Sequence, residues 1–543
     1  MASFRDSERA RERRAGEQPR AAARTCALDL YLERRFLPLE PGIVALADWS
    51  AENRAWLEQR YAGAAFVLLT NSDLNARIVE RFGGQLSDDA ILALDRRTPL
   101  LSARRVVSAG QARSLAGTGI AFLALGCARP SWLVIALVAL MSALFLLGVF
   151  FRALLALLGA APREAAQAAV DGDLPIYTIL VPLYREAAMI PTLTRALLTL
   201  DYPCDRLDIK LIVEADDLET ALACAGLDGP FEVVSVPPSL PRTKPKAVNF
   251  ALRFARGDFV VIYDAEDRPE PDQLRKAVAG FRAHPDNVAC LQARLAFYNA
   301  RECWLTNQFE ADYRLWFGML LPGLERVGLP IPLGGTSNHF RSHVLKRIGA
   351  WDPFNVTEDA DLGIRLSQAG YRVAMLDSTT FEEAPTRLDV WIKQRSRWLK
   401  GYMQTWLVHS RATRSLARGA GLSGVFAFHF FIGGAVLSAI VNPLLWAVCA
   451  LSLAFPGLFP DHMGAVSAFG AIGSNSVLVV LVTGAAIRCG DRKLLPCGLT
   501  VVLYWLLISA AAYRGLWHLF VKPFHWEKTA HGLSRHVTED GDA

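Results

Sequence analysis

Hydrophobic and polar positions divide the chain into membrane-like and soluble regions. Two apolar runs at 114–128 and 131–151 are followed, much later, by an apolar region at 422–516. The run at 131–151 is long enough to cross about 30 Å of hydrocarbon at about 1.5 Å per residue. Between them, 174–410 alternates short apolar strands with helical stretches, which is typical of a parallel sheet with crossover helices. The pattern predicts an α/β domain inserted between a transmembrane hairpin at 114–152 and C-terminal transmembrane helices.

The C-terminal apolar region allows two topologies. Four crossings keep the segment 517–543 in the cytoplasm, but they export a loop containing Arg488, Arg492 and Lys493, against the positive-inside rule. A single kinked helix over 422–456 would instead keep that basic loop in the cytoplasm and export the tail. We expect four crossings, because the tail contains Trp526-Glu-Lys-Thr, which is typical of a segment that meets a cytoplasmic site. The four stretches are 422–440, 441–456, 466–487 and 494–516.

The N-terminal part has two sections. Residues 1–25 are rich in arginine and predict a disordered basic tail that contacts anionic lipid. Residues 26–105 predict a small cytoplasmic α/β module. Through Phe36-Leu-Pro-Leu and Val44-Ala-Leu-Ala-Asp this module resembles the N-terminal domain of type II secretion ATPases, a relative of domains that in some cases bind cyclic di-GMP. Ligand binding and a structural or docking role both remain open for it.

Composition narrows the class of protein. With 543 residues, 52% apolar and 20% charged, the chain is too apolar for an ordinary soluble enzyme and too polar in its middle third for a pure membrane bundle. The nine cysteines form no C-x-x-C pair, which argues against a zinc site or a disulfide framework and favours a reducing cytoplasm. The net charge of +5 is small, and we expect no nucleic-acid partner.

Carboxylates follow two predicted strands. Asp264, Glu266 and Asp267 end the apolar run that starts at Asp258, and Asp264 and Glu266 can point the same way. Paired hard oxygens suit Mg²⁺ or Mn²⁺ bridging a nucleotide diphosphate, at the strand ends where α/β proteins bind ligands. An acidic turn before Pro269 is the alternative.

A second acidic strand end and a lysine loop add possible nucleotide contacts. Glu214, Asp216 and Asp217 end the strand at 209–213, and one of them could accept hydrogen bonds from a uracil or ribose. Lys244 and Lys246, in Thr243-Lys-Pro-Lys, could meet phosphate oxygens as point charges, with Lys246 favoured, although such a sequence is also common on surface loops.

Two further segments offer catalytic or acceptor-binding groups. Thr357, Glu358 and Asp359 open a predicted helix, where they could serve as N-cap and first-turn acids or, for Asp359, as a general base towards an acceptor hydroxyl. The loop that starts at Gly334 is expected to line the acceptor pocket through Gly335, Asn338 and His339. It matches neither a Rossmann nor a P-loop motif.

The run before the C-terminal apolar region is the most informative. Gln394, Arg397 and Trp398 form a Q-x-x-R-W pattern and share one helical face. An amide, a guanidinium fork and an indole together suit a diphosphate held beside a sugar ring.

From Tyr177 to Trp406, these motifs occur in the order found in processive family 2 glycosyltransferases. The chain resembles the bacterial cellulose synthase catalytic subunit and, more closely, bacterial β-glucan synthases of the XagB type, over roughly 115–532. The resemblance implies an α/β GT-A domain with a Rossmann-like mixed sheet. It also implies roles for the motif residues: Asp264 and Glu266 for the metal and UDP diphosphate, Glu214 for the uridine, Asp359 as base, and Gln394, Arg397 and Trp398 for the diphosphate and acceptor end.

Two positions depart from the family pattern. Glu266 replaces an Asp, which keeps the charge on a longer arm, and the first acidic motif reads Glu-Ala-Asp-Asp in place of paired Asp. Near the C-terminus, the segment from Trp526 through Lys528, Thr529 and His531 to Gly532 resembles a family signature that closes over the nucleotide. A membrane anchor is the alternative there.

The expected protein is a multi-pass enzyme of the bacterial inner membrane with a cytoplasmic catalytic domain. It would take glucose from UDP-glucose, extend a β-glucan with inversion and pass this exopolysaccharide outward, with Trp398 and Trp406 stacking on the polymer. Its partners would be a UDP-sugar donor, the growing glycan acceptor, membrane lipid and accessory export subunits. The alternatives are a chitin-like synthase using UDP-N-acetylglucosamine, a non-processive lipid glycosyltransferase, and a catalytically idle export scaffold or cyclic di-GMP sensor.

Overall fold

The computed structural model describes residues 27–161, 174–455, 457, 459 and 462–527. The predicted basic tail at 1–25 lies outside these residues, as does the part of the C-terminal signature that follows Glu527. Trp526 and Glu527, at the start of that signature, are described.

A small α/β module forms the N-terminal part of the described chain. Its elements are a helix over 27–34, β1 (Phe36–Glu40), β2 (Ile43–Leu46), α1 (Ala51–Arg60), β3 (Ala65–Leu68) and α2 (Asn71–Arg97). β2 pairs antiparallel with β1 and parallel with β3. Ser50 and Thr70 cap α1 and α2 by accepting backbone hydrogen bonds, which satisfies amides at the helix starts. The long helix α2 then packs against the α/β domain at 174–410, which the sequence predicts to be catalytic, hereafter the catalytic domain.

Two apolar helices follow, α3 (Ala109–Ala128) and α4 (Pro130–Gly159). Arg129 ends the first, and Pro130 opens the second at a position where its missing N–H costs no helical hydrogen bond. Of the four described helical segments long and apolar enough to cross a membrane, α4 is the first. α3, which starts with polar residues such as Gln111 and Arg113, is not among the four.

The catalytic domain is built on an eight-stranded sheet in the order β6-β5-β4-β7-β10-β9-β11-β8. β6, β5, β4 and β7 run parallel to one another, β10 is antiparallel to both its neighbours, and β11 is parallel to β9. The sheet is therefore mixed, with β10 and the short edge strand β8 running against the other six strands. The strands are β4 (Tyr177–Leu183), β5 (Leu207–Glu214), β6 (Phe231–Val236), β7 (Phe259–Ile262), β8 (Arg268–Pro269), β9 (Val288–Phe297), β10 (Asn338–Arg341) and β11 (Arg372–Glu382).

Helices cover both faces of this sheet. Every residue of β5 is buried, as expected for a central parallel strand with helices on both sides. Side chains of alternating direction divide the core into two clusters, with Ile209 and Val261 in one and Ile212 and Ile262 in the other. The helices are α5 (Ile190–Leu198), α6 (Leu218–Cys224), α7 (Lys244–Leu252), α8 (Gln273–Ala283), α9 (Trp304–Leu315), α10 (Leu321–Arg326), α11 (Ser342–Arg347) and α12 (Glu358–Gln368).

The C-terminal region contains fewer helices than expected. Its elements are α13 (Leu388–Ser410), α14 (Thr413–Phe428), a π-helical turn (His429–Gly433), α15 (Gly434–Ala454), α16 (Met463–Arg488) and α17 (Leu495–Val521). The predicted separate crossings at 422–440 and 441–456 are wrong, because Thr413–Ala454 is one helical run that bends at Gly421, where φ is +72°. No turn residues separate 440 from 441, and the helix accommodates Pro443.

Helix α17 begins and ends beside the catalytic domain. Near its start, Trp304 Nε1 donates a hydrogen bond to the Thr500 hydroxyl (3.1 Å). After its end, Lys400 Nζ of α13 donates to the carbonyls of Lys522 (3.2 Å) and His525 (2.9 Å). The helix therefore runs alongside α13, and the segment 522–527 returns to the catalytic domain.

Candidate active site

A cavity of about 1060 Å³ opens where the parallel strands end. Residues that follow β4, β5 and β7 line it, as expected for ligand sites at the carboxyl ends of such strands. The cavity continues between the apolar helices. The predicted site residues that line it are Glu214, Asp264, Glu266, Gly335, Thr357, Glu358, Asp359, Gln394, Arg397 and Trp398.

The three acids after β7 have different environments. The Asp267 carboxylate accepts hydrogen bonds from the Asp264 N–H (2.7 Å) and the Thr336 hydroxyl, so it holds the turn together. Asp264 and Glu266 line the cavity. Burial, and next the negative charge of Asp264, raise the pKa of Glu266 to about 8. This wall of the cavity therefore concentrates negative charge.

Lys244, one of the two lysines of the predicted loop, lines the cavity. Its Nζ lies 2.6 Å from Asp264 Oδ1 and donates to the Gly335 carbonyl (2.8 Å). Although burial opposes its charge, the carboxylates of Asp264, Asp359 and Glu358 raise the pKa of Lys244. A permanent cation therefore stands among the acids.

The prediction that Lys246 contacts phosphate oxygens is contradicted. Lys246 is fully buried, does not line the cavity, and forms an ion pair with Glu214 (2.7 Å). Lys244 and Lys246 are two residues apart in the first turn of α7, so they project about 200° apart around the helix and only one can face the cavity. Burial raises the pKa of Glu214 despite the opposing effect of Lys246.

Two predicted nucleotide-binding acids also lie elsewhere. Asp217 caps α6 through the Thr220 N–H (3.3 Å) and accepts a second hydrogen bond from the Arg185 N–H (2.5 Å). Asp216 forms a surface ion pair with Arg242 (2.7 Å). Neither acid lines the cavity, because the chain turns immediately after Glu214 to start α6.

Asp359 lies in a buried turn at the start of α12. The Trp351 indole donates a hydrogen bond from Nε1 to its Oδ1 (2.9 Å). Burial and the adjacent Glu358 raise the pKa of Asp359 well above its ordinary value. Thr357 makes no side-chain capping hydrogen bond, so the capping interpretation is wrong for that residue; its side chain packs tightly against Gly401 of α13. The turn is therefore fixed by packing against the Q-x-x-R-W helix.

Helix α13 presents its predicted residues to the same cavity. Within the described chain, Gln394 Oε1 and Arg397 Nε are buried and have no hydrogen-bond partner. Buried polar groups are normally paired, so these two atoms indicate a ligand position. The Arg397 guanidinium stacks on the Trp526 ring (4.4 Å), which brings the C-terminal segment to the cavity.

Trp398 lines the cavity and packs against aromatic and cationic side chains. Its ring lies nearly parallel to Tyr313, with centroids 6.4 Å apart, and the Arg395 guanidinium lies over it (4.8 Å). An ion pair with Asp312 (2.7 Å) fixes Arg395. Beyond Trp398, the cavity passes between apolar helices. That part is lined by Arg152, Trp316, Tyr402, Ala435, Leu478, Val482, Trp505 and Ile508.

Three predicted acceptor contacts are contradicted. His339 is fully buried in β10, with its ring nitrogens 2.7 Å from the Tyr177 hydroxyl and 3.2 Å from Gln273 Oε1, and burial lowers its pKa to about 3. Asn338 donates to the Gly334 carbonyl (2.8 Å). Both belong to a central strand, so they pack within the sheet. Trp406 donates to His429 Nδ1 (3.0 Å) and does not line the cavity.

Other residues at the cavity carry no recognisable sequence signal. Glu382, at the end of β11, lines the cavity, and burial and the carboxylates of Asp267, Glu266 and Asp264 raise its pKa. The strand β11 could have been inferred from its residue pattern, but no motif indicates that its end lies beside these acids. Trp351, which contacts Asp359 but does not line the cavity, likewise belongs to no motif.

The charge arrangement suits a divalent cation, although the described residues contain no group of three or more His, Cys, Asp or Glu side chains that could hold one. Asp264 and Glu266 supply two hard-oxygen donors, and a cation would offset the repulsion that raises the pKa of Glu266. Mg²⁺ is commonly bound by one or two protein carboxylates, while substrate phosphates supply further ligands.

A mixed sheet delivers acids, a buried carboxylate turn and a Q-x-x-R-W helix to one cavity, which is the arrangement expected of a GT-A fold. Residues 259–459 match the family model "Glycosyl transferase family group 2". The predicted fold and the prediction of a glycosyltransferase domain are thereby confirmed.

Several proteins are similar to this chain. A "Probable glycosyltransferase YdaM" of Bacillus subtilis is 25% identical over 275 residues, 49% of this chain and 65% of that protein. A "Beta-monoglucosyldiacylglycerol synthase" of Trichormus variabilis is 29% identical over 258 residues, 46% of this chain and 53% of that protein. A "Probable glucomannan 4-beta-mannosyltransferase 1" of Arabidopsis thaliana is 27% identical over 254 residues, 44% of this chain and 45% of that protein. The chain spans about half the length of the curated relatives it matches.

The comparison with solved structures includes a mannosyltransferase. It is titled "Mannosyltransferase PcManGT from Pyrobaculum calidifontis in complex with GDP-Man and Mn2+", is 21% identical, and aligns with a TM-score of 0.46 over 70% of this chain and 99% of its own.

Proposed function

We propose that this protein is a membrane-embedded inverting glycosyltransferase that adds glucose from UDP-glucose to a growing β-glucan and passes the product outward. The observation that carries this proposal is the cavity itself. It brings Asp359, the acids Asp264 and Glu266, and the buried unpartnered atoms of Gln394 and Arg397 together beside Trp398.

The proposed chemistry assigns each group a task. Gln394 and Arg397 bind the donor diphosphate, and Glu214 lies towards the uridine. Asp359 takes the proton of the acceptor hydroxyl as that oxygen attacks the anomeric carbon, so a single displacement inverts the configuration. The raised pKa of Asp359 makes it a stronger base than an ordinary aspartate.

The leaving diphosphate needs positive charge. Arg397 and Lys244 supply it from the chain, and Lys244 keeps Asp264 oriented through its ion pair. Asp264 and Glu266 would hold Mg²⁺ or Mn²⁺, which when bound stabilises the departing UDP.

The C-terminal segment is proposed to cover the nucleotide. Trp526 stacks on Arg397 of α13, and Glu527 accepts two hydrogen bonds from Arg514 of α17 (2.9 Å each), so contacts with two helices hold the segment. Covering the mouth would exclude water from the donor.

Aromatic side chains in the cavity favour a glycan as the acceptor. Trp398, Trp316, Tyr402 and Trp505 all line the cavity, and flat rings offer stacking surfaces to sugars. A second candidate is transfer of single sugars to a lipid. The apolar lining of Leu478, Val482 and Ile508 and the relative named as a glucosyldiacylglycerol synthase favour it.

The proposed location is the bacterial inner membrane, with the catalytic domain in the cytoplasm. Because both ends of α17 contact the catalytic domain, we place this helix along the membrane surface, with α15 and α16 as the crossings before it. Its exposed apolar residues, including Leu499, Leu503, Trp517 and Phe520, would face lipid. The loop with Arg488, Arg492 and Lys493 then stays cytoplasmic, in agreement with the positive-inside rule.

The test is incorporation of radiolabelled sugar by the full-length protein in lipid nanodiscs with Mg²⁺ or Mn²⁺. UDP-glucose, UDP-N-acetylglucosamine and GDP-mannose are compared, and products are sized and digested with linkage-specific glucanases. A glucanase-sensitive polymer from UDP-glucose, lost in Asp359→Asn, supports the proposal. Products one sugar long in the lipid extract favour the second candidate. No incorporation from any donor would leave the idle scaffold or sensor as the better account.

A further inference from the structure

The N-terminal module, residues 27–105, is connected to Asp359 through hydrogen bonds. Asn249 of α7 donates from Nδ2 to the Ala90 carbonyl of α2 (3.0 Å) and to the Trp351 carbonyl (2.8 Å). Its Oδ1 accepts from the Trp351 N–H (3.1 Å). Trp351 is thus held on both sides of its backbone, and its indole in turn holds the Asp359 carboxylate.

A second connection runs through the end of the module. The buried Asp352 carboxylate accepts hydrogen bonds from the Ala103 N–H (2.5 Å) and the Ser102 hydroxyl (3.3 Å), and also from the Phe354 N–H (3.1 Å). The first two donors belong to the module, whereas the third belongs to the segment that leads to the Asp359 turn. A buried carboxylate that loses such donors is strongly penalised, so Ser102 and Ala103 are required to keep this segment in place.

Arg411, at the end of α13, fastens the module in that position. Its guanidinium donates to three backbone carbonyls of the module, those of Leu100 (2.9 Å), Ser102 (2.6 Å) and Arg105. The same arginine therefore ties the helix that carries Gln394 and Arg397 to the donors that hold Asp352.

We propose that the N-terminal module is a positioning element of the active site, which fixes the segment 351–356 and thereby the direction of Asp359. The proposal rests on the function proposed above and explains why a module outside the glycosyltransferase match remains docked to the catalytic domain. Another contact of the same module offers a matched control. Asn75 Nδ2 lies 2.5 Å from Glu232 on the edge strand β6, away from the Asp359 turn.

The test compares Arg411→Ala with Asn75→Ala in the full-length protein in nanodiscs. In Arg411→Ala we expect kcat for sugar transfer to fall about tenfold while KM for the sugar nucleotide changes less than about twofold, because the base is displaced and the donor contacts remain. Arg411→Lys, which keeps a donor, should recover part of kcat. Asn75→Ala should match the parent.

Hydrogen exchange gives a readout that does not depend on activity. Amides of 351–359 should exchange about tenfold faster in Arg411→Ala than in the parent or in Asn75→Ala. Equal exchange in all three proteins, or equal losses of kcat in Arg411→Ala and Asn75→Ala, would overturn the proposal. A parent without transfer activity would refute the proposed function, while the exchange comparison still decides the positioning role. If Arg411→Ala does not fold, Ser102→Ala, which removes only one hydroxyl donor, is measured by the same criteria.

Discussion

The Trp351 indole nitrogen lies 2.9 Å from Asp359 Oδ1 and donates a hydrogen bond to it in a buried environment. This contact both orients the carboxylate and lowers its pKa relative to what burial and Glu358 would otherwise impose. One carboxylate oxygen is thereby fixed, while the side chain still lines the cavity.

The first prediction concerns this hydrogen bond. Trp351→Phe keeps an aromatic ring and removes the donor, so we expect kcat to fall about tenfold with little change in the donor KM. Because the hydrogen bond stabilises the charged form, its loss should raise the pKa of Asp359 further. The acid limb of the pH–rate profile should therefore move to higher pH. An unchanged profile would show that the indole does not act on Asp359.

The second prediction concerns the base itself. Asp359→Asn should reduce transfer by about 10²- to 10⁴-fold, because the amide cannot take the acceptor proton. Binding of UDP, measured by calorimetry, should persist. In the parent, Asp359 is active only when deprotonated, and its raised pKa places the acid limb of the rate profile well above the ordinary range of aspartate. A variant with full polymer output would remove Asp359 from the mechanism.

The third prediction assigns Lys246 to stability and Lys244 to donor binding. Lys246→Met leaves Glu214 buried without its partner and should lower the free energy of unfolding by about 3–5 kcal/mol. Lys244→Met should leave stability nearly unchanged but weaken donor binding, since its charge stands at the cavity wall beside Asp264. Thermal unfolding and UDP titration of both variants check this contrast. The reverse pattern would mean that the assignment of the two side chains is wrong.

These lysines also show which features of the site can be predicted from the sequence and which cannot. The acidic strand ends, the turn at Thr357 and the Q-x-x-R-W helix could be located from the sequence because each motif follows a recognisable element, and all three lie along one cavity, while their roles stay predictions. Choosing between Lys244 and Lys246 requires the rotation of α7 about its axis, which a short loop sequence does not fix. Asn338 and His339 were misplaced because a polar sequence next to glycines resembles a loop, whereas β10 is a central strand whose polar side chains find buried partners.

The contacts of Trp351 and of α17 were beyond prediction for a different reason. Trp351 meets Asp359 only because Asn249, about one hundred residues earlier, holds its backbone. Helix α17 has the length and apolarity of a crossing, and only its docking against α13 shows that both its ends lie beside the catalytic domain.

The fourth prediction concerns the metal. Glu266→Ala should weaken Mn²⁺ binding in the presence of UDP by at least about tenfold, because one of two hard-oxygen donors is lost. Electron paramagnetic resonance of free Mn²⁺ measures this directly. Asp216→Asn is the control, since Asp216 pairs with Arg242 at the surface and does not line the cavity. Equal Mn²⁺ affinity in the parent and in Glu266→Ala would exclude Glu266 as a ligand.

The last prediction tests the membrane topology with cysteines that the chain already contains. Cys127, Cys204 and Cys489 are exposed, at the tip of the α3–α4 hairpin, in the catalytic domain and after α16, respectively. If α17 lies along the cytoplasmic surface, Cys489 shares the side of Cys204. An impermeant maleimide added to intact spheroplasts should then label a variant that retains only Cys127 and spare variants that retain only Cys204 or Cys489. Inverted vesicles should give the opposite pattern. Labelling of Cys489 together with Cys127 would instead place the loop after α16 outside and require α17 to cross back to the cytoplasm. That outcome is incompatible with the hydrogen bond between Trp304 of the catalytic domain and Thr500 near the start of α17, and it would overturn the surface placement of α17.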